Sequence, residues 1–181
     1  YVWDQGRPRP DFFTIKGEGG ATIDGNKVYA GYDDGVMVAL NLEDGATLWS
    51  KSLAADQQHF VDVDTKPLVS GDTVYVGAFS VGVYALGKQH GNVRWLHRAR
   101  NVQTPALGPR FLYVSTGAEE VRALDPKTGK HQWTLKFGHG ELSQPVITGS
   151  KLWVSTGSAA VVADANTGHV LAKLASDDGQ S

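Results

Sequence analysis

The stretch Ala123-Leu124-Asp125-Pro126-Lys127-Thr128-Gly129-Lys130-His131-Gln132-Trp133 decides the fold. Taken alone it is a short strand, a tight turn and a second strand carrying a tryptophan. Asp-Pro opens the turn, and Gly129 can take the positive φ that a β-carbon penalises. The stretch recurs along the chain. Val38-Ala39-Leu40-Asn41 leads to Gly45 and Trp49, and Tyr84-Ala85-Leu86 leads to Gly91 and Trp95. Val162 to Gly168 repeats the turn, with Ala172 in the tryptophan slot. The turn glycines Gly45, Gly91, Gly129 and Gly168 are 46, 38 and 39 residues apart.

Two further landmarks keep step with this period. Lys27–Gly31, Thr73–Gly77, Leu112–Ser115 and Leu152–Ser155 are alternating strands with an aromatic at the same place: Tyr29, Tyr75, Tyr113 and Trp153. Pro67, Pro105 and Pro145 open a further strand, where no ladder donor is needed. Each unit therefore reads as four antiparallel strands, and four-stranded units repeated about every 40 residues are propeller blades. The predicted fold is all-β: a β-propeller of four-stranded antiparallel blades with about four blades present, in one domain over 1–181. The repeats run approximately over 12–53, 65–99, 104–137 and 144–174, after an extended lead-in at 1–11. Four blades either close a ring or form part of an eight-bladed one. A half ring is expected to associate with a second copy or to be unstable alone. Trp49, Trp95 and Trp133 are expected between blades, since large aromatics bury most area there.

Composition narrows the function classes. A net charge of −2 supplies no field to recruit nucleic acid or an anionic membrane. No apolar run approaches the roughly 20 residues of a membrane helix. The absence of cysteine excludes disulfides, thiolate metal sites and a cysteine nucleophile. Lys127-Thr128-Gly129 resembles one fragment of a penicillin-recognising site, but no serine has a lysine three residues on, and the Thr-Gly belongs to the repeat. The histidines His59, His90, His97, His131, His139 and His169 form no ligand-spaced pair. The Arg94–Arg100 run mixes bases with Trp95, yet that tryptophan is already committed to the repeat. No catalytic residue, metal site or cofactor is expected.

One insertion breaks the period. Ala54 to Asp64 lengthens the connection between the first two units, and loops are where such scaffolds keep function. Asp62-Val63-Asp64 closes this loop, and alternation puts both acids on one side of an extended chain. They could offer two carboxylates to Ca²⁺, but a recognisable loop would supply further oxygen ligands.

The repeat Ala-Leu-Asp-x-x-Thr-Gly-x-x-x-Trp resembles the tryptophan-docking repeat of quinoprotein-type propellers. In one branch, the quinoprotein alcohol dehydrogenases, pyrroloquinoline quinone and Ca²⁺ sit at the ring centre, usually beside a vicinal cysteine pair that this chain lacks. The closer resemblance is to the BamB lipoprotein family of the outer-membrane β-barrel assembly machine. Phe13-Thr14-Ile15-Lys16-Gly17-Glu18 is similar to that family's Leu-x-Leu-Arg-Gly-Glu segment, and Phe60-Val61-Asp62-Val63-Asp64-Thr65-Lys66-Pro67 to its Asp-Val-Asp-Thr-x-Pro segment. The similarity runs from about Phe12 to the end. It implies an eight-bladed ring of which this chain is about the second half. It also implies a non-enzymatic scaffold in the periplasm, on the inner face of the outer membrane, with a lipid anchor in the full-length chain. The two segments would dock the periplasmic domains of a BamA-like barrel-inserting protein, which points to Phe13, Ile15, Lys16, Asp62 and Asp64. The alternatives are a fragment of a quinone-dependent dehydrogenase and a propeller adaptor for another partner.

Overall fold

The computed structural model describes residues 19–54, 63, 65–138 and 140–175. The chain falls into two compact units, Tyr1–Val102 and Gln103–Ser181. The first unit holds a sheet of β1 (Thr22–Asp24), β2 (Lys27–Gly31), β3 (Val36–Asn41) and β4 (Thr47–Ser52). Its second sheet is β5 (Leu68–Ser70), β6 (Thr73–Ala78), β7 (Gly82–Gly87) and β8 (Val93–Arg98). The second unit holds β9 (Ala106–Leu107), β10 (Leu112–Thr116), β11 (Glu120–Leu124) and β12 (His131–Lys136) in one sheet. Its other sheet is β13 (Val146–Thr148), β14 (Lys151–Ser155), β15 (Ala159–Asp164) and β16 (Val170–Ala175). In all four sheets the strands lie in sequence order, each antiparallel to its neighbours. Among the described residues there is no helix. Short strands joined by tight turns into repeated four-stranded antiparallel sheets are β-propeller blades.

One device repeats across the sheets. The third strand slips register beside a small residue, after Ala39, Ala85, Ala123 and Val162. Ala39, Ala85 and Ala123 lie opposite Trp49, Trp95 and Trp133. On their other side stand Tyr29, Tyr75 and Tyr113. The small alanine lets the flanking rings meet over it. Ring centroids are 6.0 Å apart for Tyr29–Trp49, 5.9 Å for Tyr75–Trp95 and 5.8 Å for Tyr113–Trp133, within the range favoured by tilted aromatic pairs. The fourth sheet exchanges the volumes: Val162 lies between Trp153 and Ala172.

Trp49 and Trp95 are buried, whereas Trp133 is only partly buried, at the edge of its own core. Trp153 departs further from the aromatic pattern, at 36% exposed where Tyr29, Tyr75 and Tyr113 are buried. Tyr29 and Tyr113 are packed against the following sheet of their own unit.

Each unit has a core between its own two sheets. In the first, Tyr29, Met37, Ala39, Trp49 and Leu53 of the leading sheet meet Val74, Val76, Tyr84 and Leu86 of the next. In the second, Tyr113, Val121 and Ala123 meet Leu152, Val154 and Ala163, with Trp133 and Ile147 packed alongside.

Candidate functional site

The junction between the two sheets of each unit is built from the turn that ends the third strand. Asp125 shows its chemistry. Its Oδ1 accepts from the backbone N–H of Lys127 at 2.8 Å and of Thr128 at 3.0 Å, and Gly129 N–H returns to the Asp125 carbonyl at 2.8 Å. Those backbone donors hold the Asp125 carboxyl below its ordinary value. Asp164 closes the same turn, with Asn166 and Thr167 as donors. The Lys127-Thr128-Gly129 segment is thus part of a turn. The glycine then receives the preceding sheet's tryptophan. Gly91 has φ 65°, and a β-carbon there would lie 2.6 Å from Cε3 of Trp49. Gly168, at φ 74°, stands in the same relation to Trp133, at 2.7 Å. Gly45 and Gly129 share the left-handed conformation.

The first unit carries an added tie at the end of the inserted loop. Val63 is fully buried, and its N–H donates to the Tyr32 carbonyl at 3.2 Å. The fit requires glycine at position 31, because a β-carbon there would fall 2.3 Å from the Val63 carbonyl oxygen. Two residues later the buried Thr65 hydroxyl accepts from Gly77 N–H at 2.8 Å and donates to Gly77 C=O at 3.0 Å. Thr22 then donates through its hydroxyl to the Pro67 carbonyl. Tyr32 and Thr22 belong to the leading sheet's side and Gly77 to the next sheet. Val63, Thr65 and Pro67 therefore stitch the first two sheets together. Lys88 and Asp24 form an ion pair across the same junction, and Asp24 holds the Lys88 ammonium above its ordinary value. Lys27 donates to the Gln89 side chain at 2.6 Å.

Phe13, Ile15, Lys16, Asp62 and Asp64 all lie outside the described residues, as do His59 and His139. The described neighbours of the two acids are Val63 and Thr65, and sequence reasoning passed over both. A signal for Thr65 was present. A hydroxyl residue stands two positions before the strand-opening proline at Thr65-Lys66-Pro67 and again at Ser143-Gln144-Pro145. Ser143 makes the matching bond, accepting from Ser155 N–H at 3.0 Å. Among the described residues no group of three or more His, Cys, Asp or Glu side chains could hold a metal ion. His131 sits exposed, 2.7 Å from the Thr134 hydroxyl. In the basic run, Arg94 donates to Thr73 at 2.6 Å and Trp95 packs on Tyr75. The arrangement among the described residues is a set of ties between the two sheets of the first unit.

Comparison with known proteins finds one family model that matches most of the chain. The family model described as "Outer membrane protein assembly factor BamB" matches residues 1–135 and 117–179. A relative of that name from Alkalilimnicola ehrlichii is 30% identical over 145 residues, 77% of this chain and 38% of its own length. Another, from Pseudomonas aeruginosa, is 30% identical over 147 residues, 78% of this chain and 39% of its own. The chain thus spans about two fifths of the length of these relatives. The crystal structure of BamB from Moraxella catarrhalis superposes with a TM-score of 0.73 at 24% identity, over 86% of this chain and 52% of that one, a likeness of fold.

Proposed function

This chain belongs to the family of the outer membrane protein assembly factor BamB, and from that membership we propose that it is a non-enzymatic docking scaffold in the assembly of outer-membrane β-barrel proteins. It works on the periplasmic side of the outer membrane, with a lipid anchor in the full-length protein. Its partner is the periplasmic part of a BamA-like barrel-inserting protein. Phe13 and Ile15 provide the apolar anchor, and Lys16, Asp62 and Asp64 the charges around it. A few apolar anchors ringed by charge suit a docking surface of modest size.

The observation that carries this reading is the stitched segment. Val63 is seated against Gly31 and Thr65 is bonded twice to Gly77. Asp62 and Asp64 alternate with these two anchored residues in sequence. A loop whose end is tied to two sheets loses little further entropy when a partner binds, and such preorganisation favours affinity. A surface ion pair between Lys16 and one acid would contribute no more than about 1 kcal/mol to stability. The charges therefore have more to offer a partner than the fold.

The test is binding of the purified periplasmic domains of a BamA-like protein at rising ionic strength. Charge-guided docking predicts an on-rate that falls steeply with salt while the off-rate changes little. A salt-independent on-rate would remove the three charged residues from the docking surface.

A further inference from the structure

The repeat leaves one charge unexplained. The residue before the strand-opening proline is Lys66 in the first unit, and Thr104 and Gln144 in the second. The fold therefore does not require a base at this place in the repeat. At position 66 the backbone is held on both sides. Thr65 bonds twice to Gly77, and the Pro67 carbonyl accepts from the Thr22 hydroxyl. Pro67 also restricts Lys66 to an extended backbone, where successive side chains point to opposite sides. Val63, Thr65 and Pro67 are buried, and Lys66 is exposed. The odd positions thus face the protein, and Lys66 faces solvent. Asp62 and Asp64 share its parity in sequence.

The Lys66 stem is placed as well. A β-carbon at position 20 would lie 3.4 Å from Lys66 Cγ and 3.5 Å from its Cδ, so the methylenes run beside the Gly20 backbone. A lysine stem laid along a surface carries its ammonium into water. A cation with a tied backbone and a supported stem loses little freedom when a carboxylate meets it. We propose, resting on the docking role above, that Lys66 is a specificity-determining residue of the docking surface and takes a carboxylate of the partner. Along positions 62, 64 and 66 the sequence reads acid, acid, base. The matching partner presents two bases and then an acid. A protein with a base in that last place meets Lys66 as a like charge, and such juxtapositions reject wrong partners.

The test measures binding of the purified periplasmic domains of a BamA-like protein to the whole chain. Lys66→Glu should raise the dissociation constant about tenfold or more, chiefly by slowing association at low salt. Lys66→Met keeps a stem beside Gly20 and loses the charge. It should raise the constant about threefold, the scale of one exposed ion pair, and make the on-rate less sensitive to salt. Lys66→Arg should bind as the parent does. Circular dichroism and the thermal midpoint should stay unchanged in all three. Asp62→Lys/Asp64→Lys, measured alongside, separates two failures. If the double reversal weakens binding while Lys66→Glu and Lys66→Met bind like the parent, the role of Lys66 is overturned and the docking role stands. If none of these variants binds less well, the docking role fails and that of Lys66 with it. Tighter binding by Lys66→Glu, equal losses in Lys66→Met and Lys66→Arg, or a lowered thermal midpoint in Lys66→Met also overturns the proposal.

Discussion

The indole N–H of Trp49 donates to the backbone carbonyl of Lys88 at 3.1 Å, across the junction between the two sheets of the first unit. The Tyr29 hydroxyl reaches the same carbonyl at 3.4 Å. In the second unit the corresponding carbonyl belongs to Ala165, and the roles are exchanged. The Tyr113 hydroxyl takes it at 2.8 Å, and the Trp133 indole N–H has no partner among the described residues. The two junctions share a plan and differ in which aromatic supplies the bond.

This difference predicts opposite sensitivities. Trp49→Phe should cost about 1 kcal/mol more than Trp133→Phe, the net worth of one hydrogen bond. Trp49→Ala should cost roughly 3–5 kcal/mol, as large aromatic truncations in cores do, and Trp133→Ala less, because Trp133 is only partly buried. Urea unfolding of the four variants checks this. Equal costs for the two Phe variants would mean that the Lys88 bond contributes nothing.

Gly91 offers a second test. Gly91 and Gly71 both have positive φ, at 65° and 53°, but only at Gly91 would a β-carbon strike a neighbour. Gly71→Ala should show the backbone strain alone, about 1 kcal/mol. Gly91→Ala adds the collision with the Trp49 ring and should be clearly worse. Similar thermal midpoints for the two variants would show that Trp49 can move aside.

The third prediction concerns alkaline pH. Burial of the Tyr113 phenol, helped by the Asp164 carboxylate and opposed by Arg110, pushes its pKa from 10.0 up to about 12. A folded pKa above the unfolded one means stability that is full below pH 10 and lost as pH rises through about 12. The fall in thermal midpoint between those limits should be smaller in Tyr113→Phe than in the parent. The same variant should be less stable at neutral pH by about 1 kcal/mol, having lost its bond to Ala165. An unchanged alkaline slope would assign the loss to other groups.

The repeat was legible because its residues answer to local rules. Asp125 and Gly129 obey turn chemistry, and Trp133 lies a fixed four residues after the glycine. From these the four-stranded sheets follow. The pairing of Tyr29 with Trp49 across Ala39 was not legible, because three separate strands contribute to it and only the register brings them together. Trp153 looked like one more member of the aromatic series. Exposure is set by packing between sheets, and no local pattern encodes that. At the candidate site, Asp62 and Asp64 stood out as an insertion in the period. The anchoring role of Val63 and Thr65 was hidden, since Gly31 and Gly77 are distant in sequence and each reads as an ordinary strand residue. Phe13, Ile15 and Lys16 rest on family resemblance, without a turn or a period to support them.

The docking account is tested most directly by reversing both acids, in Asp62→Lys/Asp64→Lys, and measuring two quantities on one sample. These are the stability of the chain and its dissociation constant for the periplasmic domains of a BamA-like protein. The account predicts a stability change of no more than about 0.5 kcal/mol, as for ordinary surface positions. It also predicts a loss of affinity of at least tenfold, about 1.4 kcal/mol. Undiminished binding would place the docking surface elsewhere, and unfolding of the variant would show that the two acids serve the fold.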